Sequence, residues 1–185
     1  MLQIDANFPG GNIVVDSIDG DTVHLQQDLR DATTFWFYWY FRLRGGAGNL
    51  VSFHFTNGRV LGLRGPAVSL DGGRTWNWLG TDSVQESSFR YRVPEKADEV
   101  RFAMGMPYLE ADLQAFLDRH RGHPALETGE LCLTEKGRHA ERMRLGRLDG
   151  HASHRVLLTC RHHCCEMMAS YALEGLMETI LRNPD

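Results

Sequence analysis

Residues 155–181 read RVLLT (155–159), CRHHCCE (160–166) and MMASYALEGLMETIL (167–181). The first piece is an apolar run that predicts a short, buried strand. The second packs six residues of metal-ligating type and one arginine into seven positions. The third is helical in its spacing: Ala169, Leu173, Leu176 and Ile180 share one face, with Met177 and Leu181 beside it. Gly175 lies inside that helix at a cost of about 1 kcal/mol relative to Ala, which points to close packing there. Strand, ligand-rich loop and helix in that order suit an open α/β sheet, where ligands bind beyond the carboxyl ends of the strands. His163 and Glu166 stand three residues apart, so a turn entering the helix puts both on one side. An imidazole and a carboxylate are good zinc ligands, but a catalytic zinc takes three protein ligands and one water, so two residues are not a complete site. His162 is expected to point away from His163, because neighbours on an extended segment face opposite ways.

Working outward, the hairpin pattern ELCLTEKGRHAERMRLG (130–146) predicts two strands joined at Lys136-Gly137. Before it, YLEADLQAFLDRH (108–120) carries Leu109, Leu113, Phe116 and Leu117 at helical spacing. The first hundred residues are different. GNIVVDSI, DTVHLQQDL, TTFWFYWYFRLRG, NLVSFHFTNG, SFRYRVPE and EVRFAMGMPY are short, rich in β-branched and aromatic residues, and separated by Gly, Asn and Asp. Residues 36–41, WFYWYF, are apolar on both faces, which predicts a strand covered on both sides. The boundary between the β-rich and mixed parts falls near residue 107.

The chain has 185 residues, 42% of them apolar and 24% charged, which fits an ordinary soluble protein with a sizeable core. Its net charge of −4 argues against a nucleic-acid partner. No apolar run reaches the roughly 18–20 residues of a membrane helix. The start, MLQIDANFPGGN, lacks a basic then apolar leader, so a cytoplasmic location with reduced thiols is expected. Three of the four cysteines lie in 160–165, which suits a local site better than a disulfide framework.

TEKGRHAERMRLG, then an apolar strand, then RHHCCE and an amphipathic helix resemble the zinc carboxypeptidases of the carboxypeptidase A clan. In that family a Gly-Arg element on a hairpin precedes a strand ending in Arg-x-His-x-x-Glu. The matching positions are Gly137-Arg138, Arg161, His163 and Glu166. FPGGNI, WFYWYFRL, VSFHFTN and RFAMGMPY similarly resemble the β-sandwich found before the peptidase domain in the cytosolic carboxypeptidase branch. The resemblance implies a β-sandwich N-terminal domain (1–107) followed by the truncated start of an α/β zinc carboxypeptidase domain (108–185). It implies zinc as cofactor, held by His163 and Glu166, and a peptide or protein C-terminus as substrate. Arg161 then orients a ligand or meets a substrate carboxylate, with a structural salt bridge as the other reading. His162 is a packing or supporting histidine.

Two departures stand out. The branch usually has Pro-Gly where this chain has Cys164-Cys165, which read first as small space-fillers and otherwise as soft ligands competing for the metal. The third zinc ligand, the carboxylate-gripping arginine and the general-base Glu lie downstream in the family, and none has a matching position here. No catalytic residue is therefore expected within this chain. His139, His151 and His154 are expected to be solvent-exposed. The sequence accordingly reads as a truncated member with weak zinc binding, no peptidase activity of its own, and a tendency to self-associate. The alternative is a non-enzymatic peptide- or carbohydrate-binding β-sandwich, using Trp36, Trp76 and Trp78, with a relic metal motif. A second alternative is a structural or heavy-metal site at Cys160, His163, Cys164 and Cys165.

Overall fold

Alternating apolar residues build most of the first half. The computed structural model describes residues 1–30 and 37–183. Among the described residues, ten strands form in the first half: β1 (Gln3–Asp5), β2 (Val14–Asp19), β3 (Thr22–Gln26), β4 (Tyr40–Arg44), β5 (Leu50–Phe55), β6 (Ala67–Ser69), β7 (Asn77–Trp78), β8 (Val84–Gln85), β9 (Ser88–Arg92) and β10 (Glu99–Ala103). They form two five-stranded sheets, ordered β1-β4-β10-β6-β7 and β2-β3-β5-β9-β8. The β3–β5 pair is parallel and the other pairs are antiparallel.

In β5, Val51, Phe53 and Phe55 are buried while Leu50, Ser52 and His54 face outward. That is the period-two pattern of a strand with one face on a core. The inward residues of both sheets share one cluster. Phe53 stacks on Phe89 at 4.6 Å within one sheet and meets Phe102 of the other at 5.1 Å. Trp39 is fully buried, and its indole N–H donates to the Val60 carbonyl at 2.9 Å, so the polar atom it takes into the core is satisfied.

The prediction that 36–41 is a strand covered on both sides holds in part: Tyr38, Trp39, Tyr40 and Phe41 are buried, while Phe37 is 49% exposed and β4 begins only at Tyr40. Trp39 and Phe41 enter the core, while Tyr40 is buried on the outer face against Phe8 (4.8 Å) and Trp76 (5.5 Å). Trp36 lies outside the described residues. Trp76 is half-buried, with its indole donating to the Gly73 carbonyl, and Trp78 lies in β7 under the Arg64 guanidinium at 5.7 Å. Trp76 and Trp78 thus have packing roles of their own.

The chain divides into two compact units, Met1–Pro107 with His163–Met167, and Tyr108–His162 with Met168–Asp185. The second unit holds helix α1 (Glu110–Arg119), the antiparallel hairpin of β11 (Leu126–Leu133) and β12 (His139–Leu145), and most of helix α2 (Met167–Arg182). Asp112 closes the start of α1 by accepting from the Leu109 backbone N–H at 2.6 Å. The core of this unit is small: Phe116, Ala125, Met177 and Leu181, with Leu117, Leu126, Met143, Leu145 and Leu173 against it.

Three expectations change here. Residues 155–159 form no strand, and they are not buried: Val156 is 80% and Leu157 87% exposed. A strand needs hydrogen-bonding neighbours, and among the described residues no strand pairs with this segment. The buried line of α2 is Leu173, Met177 and Leu181, while Leu176 is exposed. Finally, a Cβ at Gly175 would meet nothing within 4 Å, so close packing does not explain that glycine.

Candidate functional site

The segment between residue 159 and α2 is shaped by its backbone. Arg161 takes a left-handed conformation (φ 56°), which costs a non-glycine residue about 1 kcal/mol. Its guanidinium donates to the carbonyl of Tyr108. Tyr108 in turn donates its hydroxyl to Glu174 at 2.8 Å and sets its ring edge-on to Tyr171. Burial, and then the Glu174 carboxylate, push the Tyr108 phenol well above its usual range, so it remains a donor. The Arg161 contact is to a backbone carbonyl and not to a carboxylate. His162 is exposed, and its Nε2 lies 3.2 Å from the Thr159 hydroxyl.

A tight turn follows. The Glu166 N–H donates to the His163 carbonyl at 3.1 Å, which puts Cys164 and Cys165 at the two central positions. The Glu166 carboxylate folds back over the same turn. One oxygen accepts from the His163 backbone N–H at 3.1 Å and the other lies 2.7 Å from His163 Nδ1. The structure therefore brings His163 and Glu166 together, in the turn before α2 and not in its first helical turn. Their side chains are 58% and 43% exposed, so as an ion pair they contribute at most about 1 kcal/mol.

As a donor set, one imidazole nitrogen and one carboxylate meet directly at 2.7 Å on an exposed turn. These are borderline and hard donors of the kind zinc accepts, so the two residues fit as part of a zinc site. They do not complete one: among the described residues no group of three or more His, Cys, Asp or Glu could hold a metal ion. His139, His151 and His154 are exposed as expected, and two of them have local partners, Glu130 for His139 and Ser153 for His154. Gly137 takes a positive φ (70°) in the β11–β12 turn, closed by its N–H to the Thr134 carbonyl at 2.8 Å, and Arg138 is exposed beside it.

Sequence reasoning did not find the polar cluster between α1 and α2. Arg119 donates to Glu174 at 2.9 Å, and His120 Nε2 lies 2.7 Å from Glu178, which also accepts from Arg182. The His120 contact, then Arg182, hold the Glu178 carboxyl below its usual range. Arg119, Tyr171, Glu174, Gly175, Glu178 and Arg182 line a shallow groove there. The only hint in the sequence is the helical spacing of Glu174, Glu178 and Arg182, which is common on solvated faces.

Comparison with known proteins gives the context. A sequence profile of the cytosolic carboxypeptidase N-terminal domain matches residues 4–104. A metallo-carboxypeptidase from Burkholderia cenocepacia is 27% identical with a TM-score of 0.82, over 98% of this chain and 49% of its own. A putative carboxypeptidase A from Shewanella denitrificans gives 25% and 0.83, over 98% and 49%. A metallo-carboxypeptidase from Pseudomonas aeruginosa, in complex with (2-guanidinoethylmercapto)succinic acid, gives 26% and 0.76, over 99% and 50%. An uncharacterised protein of Zymomonas mobilis is 26% identical over the whole of this chain and 48% of its own length. The chain thus spans about half the length of the relatives it matches.

Proposed function

Since the chain belongs to the family defined by the cytosolic carboxypeptidase N-terminal domain, we propose that it is part of a zinc metallocarboxypeptidase hydrolysing the C-terminal residues of peptides or proteins. Residues 1–107 are the β-sandwich domain, and 108–185 open the α/β peptidase domain. The fold is carboxypeptidase-like, and the relatives named metallo-carboxypeptidases support a metal cofactor. The observation that carries the reading is the His163–Glu166 convergence, Nδ1 to carboxylate at 2.7 Å, at the positions that match the family's metal pair.

His163 and Glu166 would hold the zinc. Bound there, zinc supplies Lewis acidity toward the scissile carbonyl and lowers the pKa of a coordinated water. The chain's own residues prepare that position. The backbone bond from His163 N–H to Glu166 fixes the carboxylate toward the imidazole before any metal arrives. Arg161 is anchored on the Tyr108 carbonyl. The third ligand, the general base and the carboxylate-binding arginine fall to the remainder of the peptidase domain, as the resemblance implies. The Pseudomonas relative binds a molecule built on succinic acid, which supports a substrate recognised through carboxylate groups.

Alone, the 185-residue chain is expected to bind zinc weakly and to release no residues from peptide C-termini. Zinc-dependent release of C-terminal residues by the purified chain would contradict this. In a protein that carries the whole peptidase domain, His163→Ala or Glu166→Gln is expected to lower zinc affinity and activity together. Full zinc content and activity in either variant would rule out the assignment.

A further inference from the structure

The two residues between the zinc pair are thiols, and the function proposed above leaves them without a role. We propose that Cys164 and Cys165 form a capture site for a thiophilic centre: trivalent arsenic in arsenoxide form, or a soft cation of similar affinity. Neither residue is in a disulfide. Cys164 is exposed and Cys165 half-buried, so neither serves as core filler. They occupy the two central positions of a turn closed at both levels, by Glu166 N–H to the His163 carbonyl and by the Glu166 carboxylate to the His163 N–H. Consecutive Cα atoms stand about 3.8 Å apart and each thiol is one bond from its Cβ, so rotation about the Cα–Cβ bonds can turn both sulfurs toward one centre. The pinned backbone lowers the ordering cost of closing the ring. Soft sulfur donors prefer such centres over the imidazole and carboxylate on either side.

The step balances without an oxidant. An arsenoxide, R–As=O, reacts with the two S–H groups. Two As–S bonds form, the As=O bond and both S–H bonds break, and one water leaves carrying the oxygen and both protons. Arsenic stays trivalent. The resulting ring spans the residues between His163 and Glu166. Its consequence for zinc rests on the zinc reading above: the ring holds the turn in a shape set by arsenic and weakens the metal pair.

The test uses the whole 185-residue chain, reduced, with phenylarsine oxide as probe and intact mass and peptide mapping as readout. One adduct per chain is expected. It should survive excess monothiol, be removed by a chelating dithiol, and map to Cys164 and Cys165. Cys164→Ser and Cys165→Ser should each abolish the monothiol-resistant adduct, while Cys132→Ser and Cys160→Ser retain it. An adduct that persists in Cys164→Ser or Cys165→Ser, or that is lost in Cys160→Ser, overturns the assignment. Zinc affinity is measured in parallel with and without the arsenical, and a fall on the order of tenfold is expected. An unchanged affinity in the adduct overturns the link to zinc. Absence of zinc binding at His163 in untreated chain overturns the zinc reading and leaves the thiol capture standing.

Discussion

Asp71 organises the Ser69–Trp76 loop through one carboxylate. It accepts from the Thr75 hydroxyl at 2.6 Å, the Thr75 and Arg74 backbone N–H groups, and the Ser69 hydroxyl. The Thr75 hydroxyl bond, ahead of the others, holds this carboxyl well below the usual carboxylate range. The unfolded chain, with an Asp near 3.9, therefore takes up the proton more readily than the folded one. The stabilisation is fully present above that value and is lost as pH falls from about 4 toward the folded value. Asp71→Ala is expected to lower Tm at pH 7 by several degrees and to flatten its fall below pH 4. A variant Tm curve parallel to wild type through the acid range would contradict this role. In the core, Phe53→Ala is expected to cost about 3–5 kcal/mol, measured by denaturant unfolding, because the cavity lies among Phe41, Phe89 and Phe102. The strands that carry these core residues were legible from composition, but which of their residues face inward emerges only with the sheet pairing. His163 and Glu166 were singled out by the resemblance to the family's Arg-x-His-x-x-Glu pattern, since the three-residue spacing alone is common. The left-handed conformation of Arg161 was not legible, because nothing in the residue type signals a positive φ.

Among the elements, α2 was readable in extent but not in orientation. Its apolar residues wrap more than half the helix, so spacing alone allows two faces. The choice of Leu173, Met177 and Leu181 over Leu176 comes from where Phe116 and Leu145 lie, which is tertiary information. Gly175 sits on the open side. Gly175→Ala is therefore expected to stabilise the second unit by about 1 kcal/mol, seen as a higher unfolding midpoint. A destabilised Gly175→Ala would show that the glycine answers to a contact. The same helix carries Glu178, whose lowered carboxyl makes the His120–Glu178–Arg182 cluster acid-sensitive. Its contribution holds above the ordinary Glu value near 4.3 and is lost as pH falls below it. Glu178→Gln should remove that part of the acid sensitivity in thermal melts.

For the molecule as a whole, the β-rich half was the easier to read because its core is closed within itself. Residues 155–159 show the opposite case. Their composition is that of a buried strand, yet burial depends on neighbours that no local pattern can supply. Val156, Leu157 and Leu158 stand exposed, together with Leu131, Leu133 and Met168. Exposed apolar surface of this kind promotes association. The isolated chain is expected to self-associate with rising concentration in light scattering, and Val156→Ser with Leu157→Ser to reduce that association. A monodisperse monomer for the unaltered chain would contradict it. The most direct measurement concerns the metal pair: zinc titration of the 185-residue chain, followed by the NMR signals of its histidine side chains. His163 is expected to shift first and to track a Glu166 change, with both lost in His163→Ala. If zinc instead moves His24, His54 or other histidines and leaves His163 unmoved, the turn at 163–166 is not half of a zinc site.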